Sequence, residues 1–282
     1  MIYRECYDWG KTVLETAKVP EAALDARLLL EHVCETDRNT LLAHGERDVS
    51  AEEQSRYEEL IARRAGRIPL QHLTGVQEFM GLEFRVNEHV LIPRQDTEIL
   101  VEEVLKNLHD GMRILDMCTG SGCILISLLH YSNGCDGVGA DISKEALEVA
   151  CENAERLLEA ERSVCFRQSN LFGAVSGKYE IIVSNPPYIE RGDIPGLMPE
   201  VREHEPIAAL DGGEDGLDFY REIIRESRAH LAGGGMLFFE IGCTQGAAVQ
   251  ECMRQNGFVE TAIVKDYSGL DRVVYGTWLA GE

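Results

Sequence analysis

Glu180-Ile181-Ile182-Val183-Ser184-Asn185-Pro186-Pro187-Tyr188 is an apolar, largely β-branched run stopped by two prolines. A short run of this kind reads as a buried strand of a parallel sheet whose carboxyl end opens into a loop. Ligands of open α/β sheets bind at that edge. Asn185 precedes a proline and is biased to an extended backbone, while Pro186 and Pro187 have fixed φ and no N–H to donate. The loop is therefore a stiff edge of hydrogen-bond acceptors. With the Asn185 amide and the Tyr188 ring, it suits a planar group that carries an NH2. A proline-rich turn that merely ends a strand would look the same from these residues alone.

Around this run, strand and helix alternate. Strands are expected at 112–117, 136–140, 163–168, 180–184, 235–241, 259–265 and 272–279, and helices at 121–131, 143–158, 217–231 and 244–256. Such alternation predicts an α/β, Rossmann-like seven-stranded sheet covered on both faces, with right-handed crossovers. Asp266-Tyr267-Ser268-Gly269-Leu270 leaves no room for a helix before the final strand, which should run antiparallel. Upstream, Pro93-Arg94-Gln95-Asp96-Thr97-Glu98 opens an amphipathic helix that Asp96 or Thr97 could cap. Alternation about Gly81 suggests a β-hairpin, and residues before it have helical spacing, with a capping box at Ser50-Ala51-Glu52-Glu53. The expected organisation is a helical substrate-binding domain (1–75), a hairpin linker (76–92) and a catalytic domain (93–282).

The 282 residues carry 27 basic and 49 acidic side chains, a formal charge of −22. Residues 76–282 hold 17 of the basic and 35 of the acidic groups, a net of −18, which opposes binding to nucleic-acid phosphates. Arg63-Arg64-Ala65-Gly66-Arg67 is the one basic cluster and reads as a solvated helix end. Nine scattered cysteines with no Cys-x-x-Cys pair, eight histidines away from zinc spacing, and no leader at Met1-Ile2-Tyr3-Arg4-Glu5 predict reduced thiols, no metal, no membrane span and a cytoplasmic protein.

Arg113-Ile114-Leu115-Asp116-Met117-Cys118-Thr119-Gly120-Ser121-Gly122-Cys123 reads as strand, glycine turn and helix start. Gly120 and Gly122 allow close backbone approach, and a helix amino terminus favours negative charge. It is not the full dinucleotide fingerprint, because Leu125 stands where a third glycine would be. Asp141 ends the next strand, where an acid accepts from ribose hydroxyls; capping the following helix together with Ser143 is the plainer role. Asn170-Leu171-Phe172 could close over an adenine.

The order of glycine cradle, acid and Asn-Pro-Pro-Tyr resembles class I S-adenosylmethionine-dependent methyltransferases that act on amino or amide nitrogens. Further segments resemble the peptide chain release factor glutamine N5-methyltransferases from about residue 20 onward. They are Pro69-Leu70-Gln71-His72-Leu73-Thr74-Gly75, Leu91-Ile92-Pro93-Arg94-Gln95-Asp96-Thr97-Glu98, Glu205-Pro206 and Asp266-Tyr267-Ser268-Gly269-Leu270-Asp271-Arg272. Gln95, Asn170 and Cys118 depart from the usual proline, aspartate and glycine. The resemblance implies S-adenosylmethionine contacts at Cys118, Thr119, Gly120, Ser121, Gly122, Asp141, Leu171 and Asn185. It also implies substrate contacts at Asn185, Pro186, Pro187 and Tyr188, of which Asn185, Pro186 and Tyr188 would serve catalysis. Arg94 either helps close the pocket or is an exposed residue at a helix start; Glu205-Pro206 reads as loop structure. The implied substrate is a release factor, without direct nucleic-acid, membrane or metal partners. A DNA adenine N6-methyltransferase and a non-catalytic binding module are the alternatives.

Overall fold

The computed structural model describes residues 1–279; the last three residues of the expected catalytic domain lie outside the described residues. In chain order the helices are α1 (Tyr3–Thr16), α2 (Ala22–Val33), α3 (Arg38–Ala43), α4 (Ala51–Ala65), α5 (Leu70–Thr74), α6 (Glu98–Leu105), α7 (Cys123–His130), α8 (Lys144–Leu157), α9 (Pro199–His204), α10 (Asp218–Ser227) and α11 (Gly246–Gln255). The strands are β1 (Val76–Phe79), β2 (Leu82–Arg85), β3 (Arg113–Met117), β4 (Asp136–Asp141), β5 (Val164–Gln168), β6 (Tyr179–Ser184), β7 (Leu231–Glu240), β8 (Phe258–Lys265) and β9 (Asp271–Trp278). Two compact units result: Met1–Val76 with Met198–His204, and Gln77–Leu197 with Glu205–Glu282. The second takes in almost all of the β1–β2 hairpin, and the first is discontinuous in sequence.

In the first unit the helical spacing of Leu14, Ala26, Leu29, Leu30, Tyr57 and Ile61 buries one face of each of α1, α2 and α4 in a common core. The Ser50 capping box forms, with Ser50 Oγ accepting from the Glu53 N–H at 3.2 Å and the Ser50 N–H donating to the Glu53 carboxylate at 2.8 Å. The basic cluster at the end of α4 is solvated only in part: Arg63 is exposed as its sequence suggested, but Arg64 and Arg67 are not. Arg64 is buried and donates to Asp25 at 2.7 Å and to Glu200 at 3.1 Å, and Arg67 reaches Glu200 at 2.7 Å. Two carboxylates from distant segments supply what the helix end would otherwise draw from water. Burial pushes the Asp25 carboxyl up. For Glu200 burial acts the same way, but bonds from its own helix backbone, Arg67 and Arg64 hold it below its usual value.

In the second unit the seven strands run in the order β5-β4-β3-β6-β7-β9-β8. β3 pairs in parallel with β4 and with β6, and β6 in parallel with β7; β9 is antiparallel to both β7 and β8, as the short final connection requires. Alternate residues feed opposite faces. Ile114, Ile181 and Val183 pack in one core with Ile124 and Leu128, while Leu115 and Ile182 pack in the other with Ile223, Phe239 and Val249. Both faces are buried, which is why these strands read as continuous apolar runs.

Two local expectations need correction. The helix placed at 217–231 stops at Ser227, and β7 starts at Leu231 rather than 235, because Leu231 pairs with Tyr179 before an irregularity that precedes the Met236–Ile181 pair. Neither Asp96 nor Thr97 caps α6 through its side chain. A 3-10 turn over Gln95–Thr97 leads into the helix with Thr97 already in helical dihedrals, and Asp96 pairs with Arg272 at 3.1 Å. Among the described residues no helix is long and apolar enough to cross a membrane.

Replacing Arg64 by alanine strands the buried Asp25 carboxylate and leaves Glu200 with Arg67 alone, so Arg64→Ala should cost the first unit about 3–5 kcal/mol. Urea unfolding followed by circular dichroism measures it; an unchanged midpoint would show that the cluster carries no stability.

Candidate active site

A cavity of about 470 Å³ opens at the carboxyl ends of β3, β4, β5 and β6, within the second unit. Its size falls within the range of small-molecule and cofactor sites. Two of its walls come from the strand-to-helix connections after β3 and β4, a third from the 3-10 turn after β5, and the fourth is the loop after β6.

The first wall is the turn after β3. Cys118, Gly120 and Gly122 all take left-handed dihedrals, with φ of 62°, 54° and 79°. This costs a non-glycine residue on the order of 1–2 kcal/mol, borne here by Cys118. The two glycines answer to different constraints. A Cβ on Gly120 would meet nothing within 4 Å, because the residue borders the cavity; one on Gly122 would lie 2.9 Å from Ile126 Cδ1 and 3.2 Å from Ala150 Cβ. Burial, with Asp141 and Asp116 nearby, pushes the Cys118 thiol up, away from the reactive thiolate. Below the turn, Asp116 is fully buried and accepts from the Thr119 hydroxyl at 2.6 Å, yet its Oδ1 has no hydrogen-bond partner. Burial pushes its pKa up to about 7. Asp116 went unnoticed in the sequence, although an acid inside Ile114-Leu115-Asp116-Met117 is itself a signal.

Asp141 forms the second wall. Its two oxygens accept from the Gly120 and Ser143 backbone N–H groups, both at 2.9 Å, and Ser143 Oγ caps α8 at the Ala146 N–H. Each carboxylate oxygen keeps a lone pair beyond the one its backbone donor takes, so this geometry leaves room for a further hydrogen bond. Burial pushes this carboxyl up while the backbone donors oppose it. Third, Asn170 and Leu171 line the cavity after β5, Leu171 at φ 45°. Phe172 does not share that role: it is buried and stacks on His230 with centroids 4.7 Å apart.

The loop after β6 supplies Asn185 and Pro187 to the cavity lining; Pro186 and Tyr188 are not part of that lining. Ser184 Oγ donates to the Met117 carbonyl at 2.6 Å, tying β6 to β3 at this edge. Asn185 Nδ2 approaches Thr97 Oγ1 at 3.4 Å, and the Tyr188 hydroxyl donates to Glu240 at 3.2 Å. Arg94, on the rim, donates to both Glu205 oxygens at 2.8 and 2.7 Å, and Glu205 also accepts from the Ile92 N–H. Glu205 is thus the anchor of Arg94 rather than loop filling. Burial pushes its carboxyl up and Arg94 pulls it back. Among the described residues no group of His, Cys, Asp and Glu is placed to hold a metal ion.

Residues 94–197 match the family model described as the methyltransferase small domain, which defines the class of the catalytic unit. Residues 5–75 match the model described as the PrmC N-terminal domain. A release factor glutamine methyltransferase of Geobacter sulfurreducens is 41% identical, with 97% of this chain and 95% of the relative covered. One from Moorella thermoacetica is 43% identical over 92% of each chain. The chain belongs to the release factor glutamine methyltransferase family. A methyltransferase structure from Pyrococcus furiosus, 17% identical, shares the fold with a TM-score of 0.54 over 82% of this chain and all of that one.

The two glycines predict unequal costs. Gly122→Ala, strained and crowded, should lose about 1–3 kcal/mol of stability, and Gly120→Ala nearer 1 kcal/mol. Chemical denaturation of both variants checks the order; equal losses would mean that the Gly120 backbone does not face open space.

Proposed function

We propose that this chain transfers a methyl group from S-adenosylmethionine to the side-chain amide nitrogen (N5) of the glutamine in the Gly-Gly-Gln motif of peptide chain release factors. The observation that carries this reading is that Asn185 and Pro187 line the same cavity as the Gly120 turn and Asp141. One enclosure thus holds an acceptor-rich edge and a nucleoside-type cradle. Family membership supplies the donor and the acceptor.

The residues fit the donor. Gly120 leaves its Cβ position open to the cavity, so a ligand can press against the backbone there. Asp141 has a free lone pair on each oxygen for ribose hydroxyls. Leu171 offers an apolar wall to a base, and Cys118, Thr119, Ser121 and Gly122 complete the turn. S-adenosylmethionine, when bound, supplies an electrophilic methyl on a sulfonium that departs as a neutral thioether.

An amide nitrogen is a weak nucleophile because its lone pair is delocalised into the carbonyl. Asn185 Oδ1, on the cavity, would accept one amide hydrogen, and the Pro186 carbonyl, which adjoins the lining without being part of it, would accept the other as the family resemblance implies; together they would hold the nitrogen and orient its lone pair. Positioning of this kind supplies much of an enzyme's acceleration. With the donor bound, the same two oxygens would stabilise positive charge growing on the amide nitrogen. The extra proton would then pass from the methylated nitrogen, a strong acid, to water, so no general base is assigned. Pro187 walls the acceptor, and Tyr188 keeps the loop in shape through its bond to Glu240. The first unit, with its own core, is assigned to holding the release factor. Such a substrate places the activity in the cytoplasm.

Incubation with S-adenosylmethionine and a release factor, with duplex DNA offered alongside, should put one methyl group on the Gly-Gly-Gln glutamine, located by mass mapping, and none on DNA. Transfer to adenine instead would overturn the reading. Asn185→Ala should slow transfer by about a hundredfold or more while cofactor affinity falls less. A near-normal rate in that variant would remove Asn185 from the mechanism.

A further inference from the structure

Glu240 ends β7 after Leu237, Phe238 and Phe239 and before Ile241, all fully buried, and is itself only 2% exposed. A carboxylate there costs stability, the more so because its Oε2 has no partner in full hydrogen-bond geometry. The parallel register sets Phe239 opposite Ser184, the last residue of β6, so Glu240 comes level with Asn185 just beyond the end of that strand. Two hydroxyls meet the carboxylate. Tyr188 donates to Oε1 at 3.2 Å, and Thr97 makes a looser stabilising contact. Thr97 is 2% exposed and its hydroxyl caps no helix, while its Oγ1 lies 3.4 Å from Asn185 Nδ2.

We propose that Glu240 and Thr97 are positioning residues that fix which face of the Asn185 side-chain amide points into the cavity. The polarity of the chain of contacts decides this. A carboxylate only accepts, so Thr97 turns its single proton toward Glu240 and leaves a lone pair for Asn185. Asn185 must then present Nδ2 to Thr97, which directs Oδ1 to the cavity that the residue lines. A flipped amide would offer the acceptor glutamine a donor where the chemistry needs an acceptor. The same carboxylate pins the Tyr188 hydroxyl at the far end of Asn185-Pro186-Pro187-Tyr188, while Asn185 is met by Thr97. Burial pushes the Glu240 carboxyl up, whereas the Thr97 hydroxyl, the Arg272 guanidinium and the Tyr188 hydroxyl pull it back toward the ionised form. The consequence for rate rests on the methyl-transfer reading; the amide orientation does not.

Two measurements separate these. Side-chain amide exchange at Asn185, followed by heteronuclear NMR in the whole protein without an acceptor, should show one protected proton that loses protection in Thr97→Val and keeps it in Thr97→Ser. Absence of protection in the unaltered protein overturns the relay. In methyl transfer to a release factor, Thr97→Val should lower kcat by about a hundredfold while KM and the dissociation constant for S-adenosylmethionine change less than about threefold, and Thr97→Ser should restore most of the rate. A Thr97→Val enzyme of normal rate, or a serine variant as slow as the valine one, overturns the inference. Glu240→Gln, which can donate to Thr97 and reverse the chain, should also lose rate; if it does not fold, the Thr97 pair still decides. Protection at Asn185 in a protein that methylates no release factor would sink the functional reading and leave the relay standing.

Discussion

The parallel backbone ladder between β3 and its two neighbours is the constraint on which everything else depends. Met117 pairs with Ala140 on one side and Ser184 on the other, so the next residues along the chain, Cys118, Asp141 and Asn185, fall at one level on the carboxyl edge of the sheet. A slip of one residue would displace a wall by about 3.3 Å and turn its side chains to the opposite face. The cavity is therefore a product of register before it is a product of side chains. The left-handed turn at Cys118–Gly122 and the cap at Ser143 elaborate edges that the ladder has already aligned.

Burial explains what could be read in advance. Each central strand is enclosed on both faces, so Ile114-Leu115 and Ile181-Ile182-Val183 stand out as apolar runs, and the turn residues after them mark the site edge. Breaks in the backbone are equally visible: two prolines, two glycines, and an acid at the end of a strand. The boundary at Leu231 was hidden because its pairing lies among glycines, which carry no side-chain pattern.

The polar scaffold behind the site was much less legible. Arg94 and Glu205 are 111 residues apart, Asn185 and Thr97 88, and Tyr188 and Glu240 52. Periodicity reports which face is buried; it carries no address for a hydrogen-bond partner. Thr97 was misread because a threonine before a helix ordinarily caps it, whereas here a 3-10 turn sets the backbone into helical dihedrals one residue early and releases the hydroxyl. Arg64 was misread for the complementary reason. Its two carboxylate partners lie 39 and 136 residues away, so the cluster looked like a charged helix end with nothing to neutralise it.

The discontinuity of the first unit also governs the order in which the molecule can be completed. Glu200 lies in the short α9 segment, which the chain reaches only after laying down the loop that follows β6. As the polypeptide emerges amino end first, the helices of residues 1–76 can gather around their core and Arg64 can meet Asp25, but Arg67, and the second bond of Arg64, wait for a carboxylate made more than a hundred residues later. The unit synthesised first is thus among the last to be finished. Its final ion pairs close only when the loop after β6 already exists.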